Sequence, residues 1–213
     1  LTCAVGAGSG TALSFELGIA LLERAQGALG AADRALSGGA FGLALPLVCY
    51  FLVGQACGSS NLREAVLPLA RHGLDRRTLT FGLALPPALL AAAFAAVSGV
   101  LVVLITRGPG DPKFLADAWA SAWIGAVAGA AYVATFVGAS AVGKRGRGRS
   151  WLLAADFLLG AGESFLAFPW PKGHVRNLLG GNAVLELSQT GALLALLGAS
   201  GAIFWLGTLR TQR

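Results

Sequence analysis

Methionine is absent from the 213 residues, histidine occurs twice, cysteine three times, and charged side chains make up only 12%. Soluble domains carry about 25% charged residues. So little charge excludes a disordered chain, which needs high charge and few apolar residues. It also excludes an ordinary soluble globule, whose surface could not be covered by so few charges. Cys3, Cys49 and Cys57 are an odd number without a C-x-x-C pair or clustered histidines. That excludes a disulfide framework and a zinc site, and the three read as small buried apolar residues. With no methionine at position 1, Leu1 reads as an alternative initiator, or the chain as a fragment or processed form. The opening LTCAVGAGSG has no basic n-region, so its apolar run is expected to be retained rather than cleaved.

Apolar residues are abundant: 55% of the chain is hydrophobic and mean hydropathy is +0.70. Charges cut the chain into runs. No charged residue lies between Ala35 and Leu62, Thr78 and Thr106, Ala118 and Gly143, or Leu187 and Leu209. Each run exceeds the roughly 20 residues that a membrane-crossing helix needs. Two weaker runs remain, at 2–22 with Glu16 and at 151–168 with Asp156 and Glu163. The sequence therefore predicts an all-α, polytopic helical bundle in a single transmembrane domain over 1–213. Its six spans are expected at 2–22, 37–57, 81–106, 118–142, 151–168 and 187–208. Pro46 and the pair Pro86-Pro87 fall within spans, where membrane helices tolerate them with a kink. Trp119, Trp123, Trp151, Trp170 and Trp205 fall near span ends, as interfacial tryptophans do.

The net charge of +6 is read as topology rather than as nucleic-acid binding. Ten of the 16 bases fall on alternate segments: Arg63, Arg71, Arg76 and Arg77, then Lys144, Arg145, Arg147 and Arg149, then Arg210 and Arg213. The other loops hold six, partly offset by Asp111 and Asp117. The richer set is expected to face the cytoplasm, with both termini inside, in a multi-pass protein of the cell's cytoplasmic membrane.

Several motif matches carry no chemistry. Gly138–Arg145 fits seven positions of a phosphate-binding loop but has Arg where Ser or Thr would hold magnesium. Gly198-Ala199-Ser200-Gly201 resembles the serine motif of rhomboid-type proteases, yet neither His72 nor His174 follows it or lies in an apolar run. Small residues at a helix-packing face explain it more simply. G-x-x-x-G occurs four times among 31 glycines, about as often as chance allows, so it points to close helix packing in general and not to a specific dimer.

Two loops carry more. Ser59–Thr80 repeats Leu62, Val66 and Leu69 at helical spacing beside Arg63 and Glu64, and Pro68 limits the helix. Such an amphipathic helix could dock a soluble partner or rest on anionic headgroups. In Ala167–Glu186, Pro169, Trp170 and Pro171 end the fifth span. A short interfacial or re-entrant helix through His174 and Arg176 then stops at Gly180-Gly181.

The stretch from Arg63-Glu64 through Leu67, Pro68, Leu69 and Arg71 to Arg76-Arg77, set within this order of spans and loops, resembles the connection between spans two and three in permease subunits of ATP-binding-cassette exporters of the compact six-helix class (type V exporters). One departure is the absent basic amphipathic helix at the start. The resemblance implies that 59–79 is a coupling helix docking on a separate ATPase through Arg63, Glu64, Leu67, Arg71, Arg76 and Arg77. Lys144 and Arg145 would add a second contact. It implies an outer gate at Pro169, Trp170, His174 and Arg176, a second permease subunit (the same or a different chain), and ATP with magnesium held by the partner, with no catalytic residue, metal or cofactor in this chain. Membrane lipid is the other partner, and nucleic acid is not one.

Ionisable residues inside spans mark functional sites by default. Asp156 and Glu163 are seven apart and share a face if one helix carries both. Asp156 could pair with Arg149. Glu163 could carry a proton, meet a cationic substrate or bond another helix, and Glu16 is open in the same way. Beside the permease stands a non-transporting scaffold or accessory subunit that uses the same basic loops. An intramembrane enzyme is weighed against by the missing histidine and metal clusters.

Overall fold

The computed structural model describes residues 2–25, 31–58 and 60–212. Cys3, Gly6 and Arg24 are described in backbone only, and Ser59 and Arg213 lie outside the described residues. Those described residues form helices and turns and no strand. In chain order the helices are α1 (Thr2–Ala25), α2 (Ala31–Arg34), a π-helical segment (Ala35–Ala44), α3 (Leu45–Cys57), α4 (Leu62–Ala70), α5 (Arg76–Arg107), α6 (Phe114–Ala139), α7 (Gly148–Leu159), α8 (Pro171–Leu178) and α9 (Gln189–Gln212).

Four helices are long and apolar enough to cross a membrane, and they hold the four uncharged runs. They are the π segment with α3, then α5, α6 and α9. Their packing follows from which faces are small. In α6 and in the span that begins with the π segment, 67% of the most apolar window is buried, against 33% in α5 and α9. α6 packs on α3, α5 and α9, and α5 and α9 turn apolar faces outward through Leu85, Leu89, Leu90, Leu194, Leu197 and Leu206. An apolar outer surface is unfavourable in water and fits a lipid environment.

Glycines bring the helices together backbone to backbone. A Cβ on Gly125 would meet Ala95 O at 2.7 Å, and one on Gly129 would meet Ala91 O at 2.7 Å, so α6 lies directly on α5. At the other face of α6, a Cβ on Gly138 would strike Ile203 O, and one on Gly207 would meet Gly138 Cα at 2.6 Å. Gly125 and Gly129 thus pack within the chain. Gly198 and Gly201, expected on a packing face, have nothing within 4 Å, and between them only Ser200 turns inward.

The π segment precedes a proline. Pro46 has no N–H, and its ring would collide with the carbonyl of residue 42 in a regular helix. Upstream the turns are wide: Leu45 N–H donates to Ala40 O, five residues back. Gly42 permits this, since a Cβ there would strike Ser37 O.

The fifth expected span is not one helix. Residues 151–168 were predicted to run continuously, but α7 stops at Leu159, with Gly160 as its cap. Twelve residues reach ~18 Å, short of a bilayer's ~30 Å hydrocarbon core. The chain then reverses. Lys172 N–H donates to the Asp156 carboxylate at 3.1 Å, whereas a straight helix would hold these residues ~24 Å apart. From there α8 climbs beside the 160–163 loop: Arg176 donates to Ala161 O and Gly162 O. It ends at Leu178, whose side chain lines a small pocket with Arg107 and Asp117 at the start of α6.

Close approach makes glycine size decisive, and overpacking a helix contact costs about 1–3 kcal/mol. Gly138→Val is expected to lower the thermal unfolding midpoint of the detergent-solubilised protein. Gly54→Ala, where nothing lies within 4 Å, is expected to leave it unchanged or raise it by helix propensity, worth up to ~1 kcal/mol.

Candidate functional site

Three segments that lie far apart in sequence meet at one end of the bundle. Asn61 caps α4: its side chain accepts from Glu64 N–H at 2.9 Å, and the Glu64 carboxylate accepts from Asn61 N–H at 3.2 Å. This reciprocal box is legible in the Asn61-x-x-Glu64 spacing, yet the sequence reading assigned Glu64 to partner contact alone. Leu62 N–H then donates to Ser140 O at the end of α6 (3.1 Å). Leu62 and Val66 are buried against the bundle. α4 therefore lies across the end of the bundle, against α5 and α9.

The 140–147 turn packs beside it. Gly146 has φ +64°, and a Cβ there would meet Ser60 O at 2.9 Å, so glycine alone fits this close passage. Arg149 donates to Gly58 O at 2.8 Å, and Tyr50 hydroxyl lies 2.9 Å from Ser150 hydroxyl. The third segment is the end of α9. Arg76 donates to Thr211 O at 2.9 Å, and the Arg77 guanidinium lies 4.2 Å from the centre of the Trp205 ring.

The predicted coupling residues divide accordingly. Arg63, Glu64 and Arg71 are exposed, and Leu67 is half-buried. Lys144 and Arg145 are exposed on the neighbouring turn. Arg76 and Arg77 instead fasten α5 to α9, since their partners, 135 and 128 residues away, are internal. Leu69, expected on the same buried stripe as Leu62 and Val66, is 54% exposed, as is Leu74. On α4 and the turn after it, two arginines (Arg63 and Arg71) and two leucines (Leu69 and Leu74) are therefore exposed among the described residues.

Charge pairing differs between the two ends. At the far end Arg107 lies 2.8 Å from Asp117 and 3.6 Å from Asp111. Arg34 and Glu23 also pair, at 3.0 Å. At the α4 end no carboxylate among the described residues pairs with Arg63, Arg71, Lys144, Arg145, Arg147 or Arg210. Unpaired cations collect where the three basic segments meet.

The three candidate pathway carboxylates are not brought together. Asp156 is fully buried and accepts from Tyr132 hydroxyl (3.0 Å) and Lys172 N–H; it does not pair with Arg149. Glu163 lies outside any helix, exposed, and accepts from the Asn182 amide at 2.5 Å, so it is neither deep nor on a face shared with Asp156. Glu16 is 2% exposed in α1, apart from the other two.

The outer-gate set also divides. Pro169 and Trp170 line one groove with Lys144, Arg147 and Arg210, at the α4 end. They cannot belong to the opposite mouth, because the chain has already turned back at Gly160. His174 is buried, with Nε2 2.7 Å from Phe168 O. Arg176 is spent on the carbonyls of Ala161, Gly162 and Asn182. Both hold the broken α7–α8 connection in shape. Ser200 Oγ is buried, with no hydrogen-bond partner among the described residues.

Asp156 ties α6, α7 and α8 together, and this is measurable. Tyr132→Phe and Asp156→Asn are each expected to destabilise the protein by about 1–3 kcal/mol. In thermal unfolding the double variant should show non-additivity of about 1 kcal/mol or more; strictly additive effects would deny the bond.

No protein-family model, curated protein or solved structure matches the chain.

Proposed function

We propose that the chain is the permease subunit of an ATP-driven exporter, acting with a separate ATPase and a second permease subunit. The observation that carries this reading is α4. It is a capped amphipathic helix lying across one end of a helical bundle, with Arg63 and Leu69 exposed on it and Arg71 and Leu74 exposed just after it. A soluble subunit that moves on nucleotide binding needs such a rigid lever. The Leu62–Ser140 hydrogen bond connects this lever to the end of α6, α4 also packs on α5 and α9, and Arg76 and Arg77 join the start of α5 to α9.

In this reading the α4 end faces the cytoplasm, as the excess of Lys and Arg favours. The chain crosses six times. α1, 24 residues long, supplies the first crossing. α7 and α8 together supply the fifth as two half-length helices; broken helices of this kind are tolerated within bilayers where protein surrounds them. A displaced α4 would be felt by α6 and α9, and through Asp156 and Tyr132 by the broken crossing. The substrate path would run between two permease subunits. The residues of this chain supply leverage and a pathway wall, and ATP with magnesium stays with the partner.

Docking is tested at the residues that α4 presents. Arg63→Glu with Arg71→Glu is expected to reduce co-purification of the ATPase subunit from native membranes by about tenfold or more, a change of roughly 1.4 kcal/mol or above. The thermal midpoint of the isolated chain should stay the same. Undiminished association, or association with no nucleotide-dependent transport in reconstituted vesicles, would favour the scaffold reading instead.

A further inference from the structure

A groove of about 960 Å³ opens where the ends of α6 and α9 meet the start of α7. Its inner wall is apolar and small, with Gly138, Ala139, Gly207 and Ile203. Farther out the wall is Val142, Trp151, Leu152 and Leu206, and of these Trp151 is 76% and Leu206 60% exposed. At the mouth stand Lys144, Arg147 and Arg210. No carboxylate lines the groove among the described residues, and none pairs with these three cations.

Polarity is therefore graded along the groove. On α9, Ile203 and Arg210 are seven residues apart, so the apolar inner end lies ~10 Å from the cationic mouth. Water suits the mouth but not the wall, and a hydrocarbon suits the wall but not the mouth. An amphiphile with a negative head and a hydrocarbon tail satisfies both. Arginine's planar fork matches phosphate oxygens, and lysine adds a compact charge. Trp151 and Trp170 are amphipathic rings of the kind found at headgroup depth. Basic pockets between membrane helices are suited to anionic lipid headgroups.

We propose that this groove is a binding site for an anionic diacyl phospholipid. The phosphate sits among Lys144, Arg147 and Arg210, and an acyl chain lies along Gly138, Ile203 and Gly207. Such a lipid would bridge the 140–147 turn and the end of α9, the two segments to which α4 and α5 are bonded. The site uses this chain alone, so it stands or falls independently of the ATPase.

The test uses the delipidated full chain in neutral detergent, titrated with phosphatidylglycerol, phosphatidylcholine or water-soluble glycerol phosphate. Bound lipid is counted by native mass spectrometry and the unfolding midpoint is followed in parallel. Phosphatidylglycerol is expected to bind the wild-type chain at least about tenfold more tightly than phosphatidylcholine and to raise the midpoint. K144Q/R147Q/R210Q should abolish that preference. L206W, which fills the wall and leaves the cations in place, should weaken both lipids. R63Q/R71Q/R145Q removes three cations from the same end but outside the groove, and should bind like the wild type. Equal binding of the two lipids, equal competition by glycerol phosphate, or equal loss in the control triple would overturn the site. So would cross-linking of Trp151→Cys between two copies in lipid-free detergent, which would show the groove filled by a second chain.

Discussion

Helix α6 can sit at the centre of this bundle only because both its faces let another backbone touch it. Gly125 and Gly129 meet the carbonyls of α5, and Gly138 meets the backbone of α9 around Ile203. In lipid, helices gain little from the hydrophobic effect on pairing, because the tails are as apolar as leucine. Close packing of small residues supplies the attraction instead, and every backbone polar group must be satisfied internally. The arrangement of α3, α5, α9 and α8 follows, since each packs on α6 or on a helix that does. The groove lies beside the α6–α9 crossing, with Gly138 and Gly207 among its lining residues.

The second constraint is the break between α7 and α8. Deep polar groups are costly unless paired, and Asp156 meets that cost through Tyr132 and the N–H of Lys172. Arg176 does the same for loop carbonyls that no helix satisfies. A polar helix such as α8, PKGHVRNL, can therefore be buried although its composition is that of a surface segment. These polar bonds hold a shape that two short helices could not hold by packing alone.

At the α4 end, structure and charge reinforce each other. The far end pairs its arginines with Asp111, Asp117 and Glu23, whereas at the α4 end no carboxylate among the described residues pairs with the cations. That end can attract anions of any kind, so specificity has to come from shape. α4 and the turn after it offer exposed leucines, and the groove offers a graded cleft. The two features differ in shape although they share one electrostatic field.

Hydropathy and helical period are local properties, and what they govern was legible in the residues alone. The four long apolar helices sit where uncharged runs place them, α4 was visible in Leu62 and Val66, and the grouping of Lys144, Arg147 and Arg210 was legible in the loop charges, whereas Lys172 and Arg176, counted with the other group, lie in the α7–α8 break. Even the capping box could have been read from Asn61 and Glu64, and the end of α7 from Gly160 and Gly162 just before a Pro-Trp-Pro. The tertiary structure alone decided which cations are spent and which are free. Arg76 and Arg77 look no different in sequence from Arg63 and Arg71, but they meet Thr211 and Trp205 across more than a hundred residues. It also decided that Glu163 is exposed, that Asp156 meets Lys172, and that Pro169 and Trp170 stand with Lys144 and not at the opposite mouth. The physical reason is the same in each case: a polar group finds its partner through the fold, and spacing along the chain carries no record of that meeting.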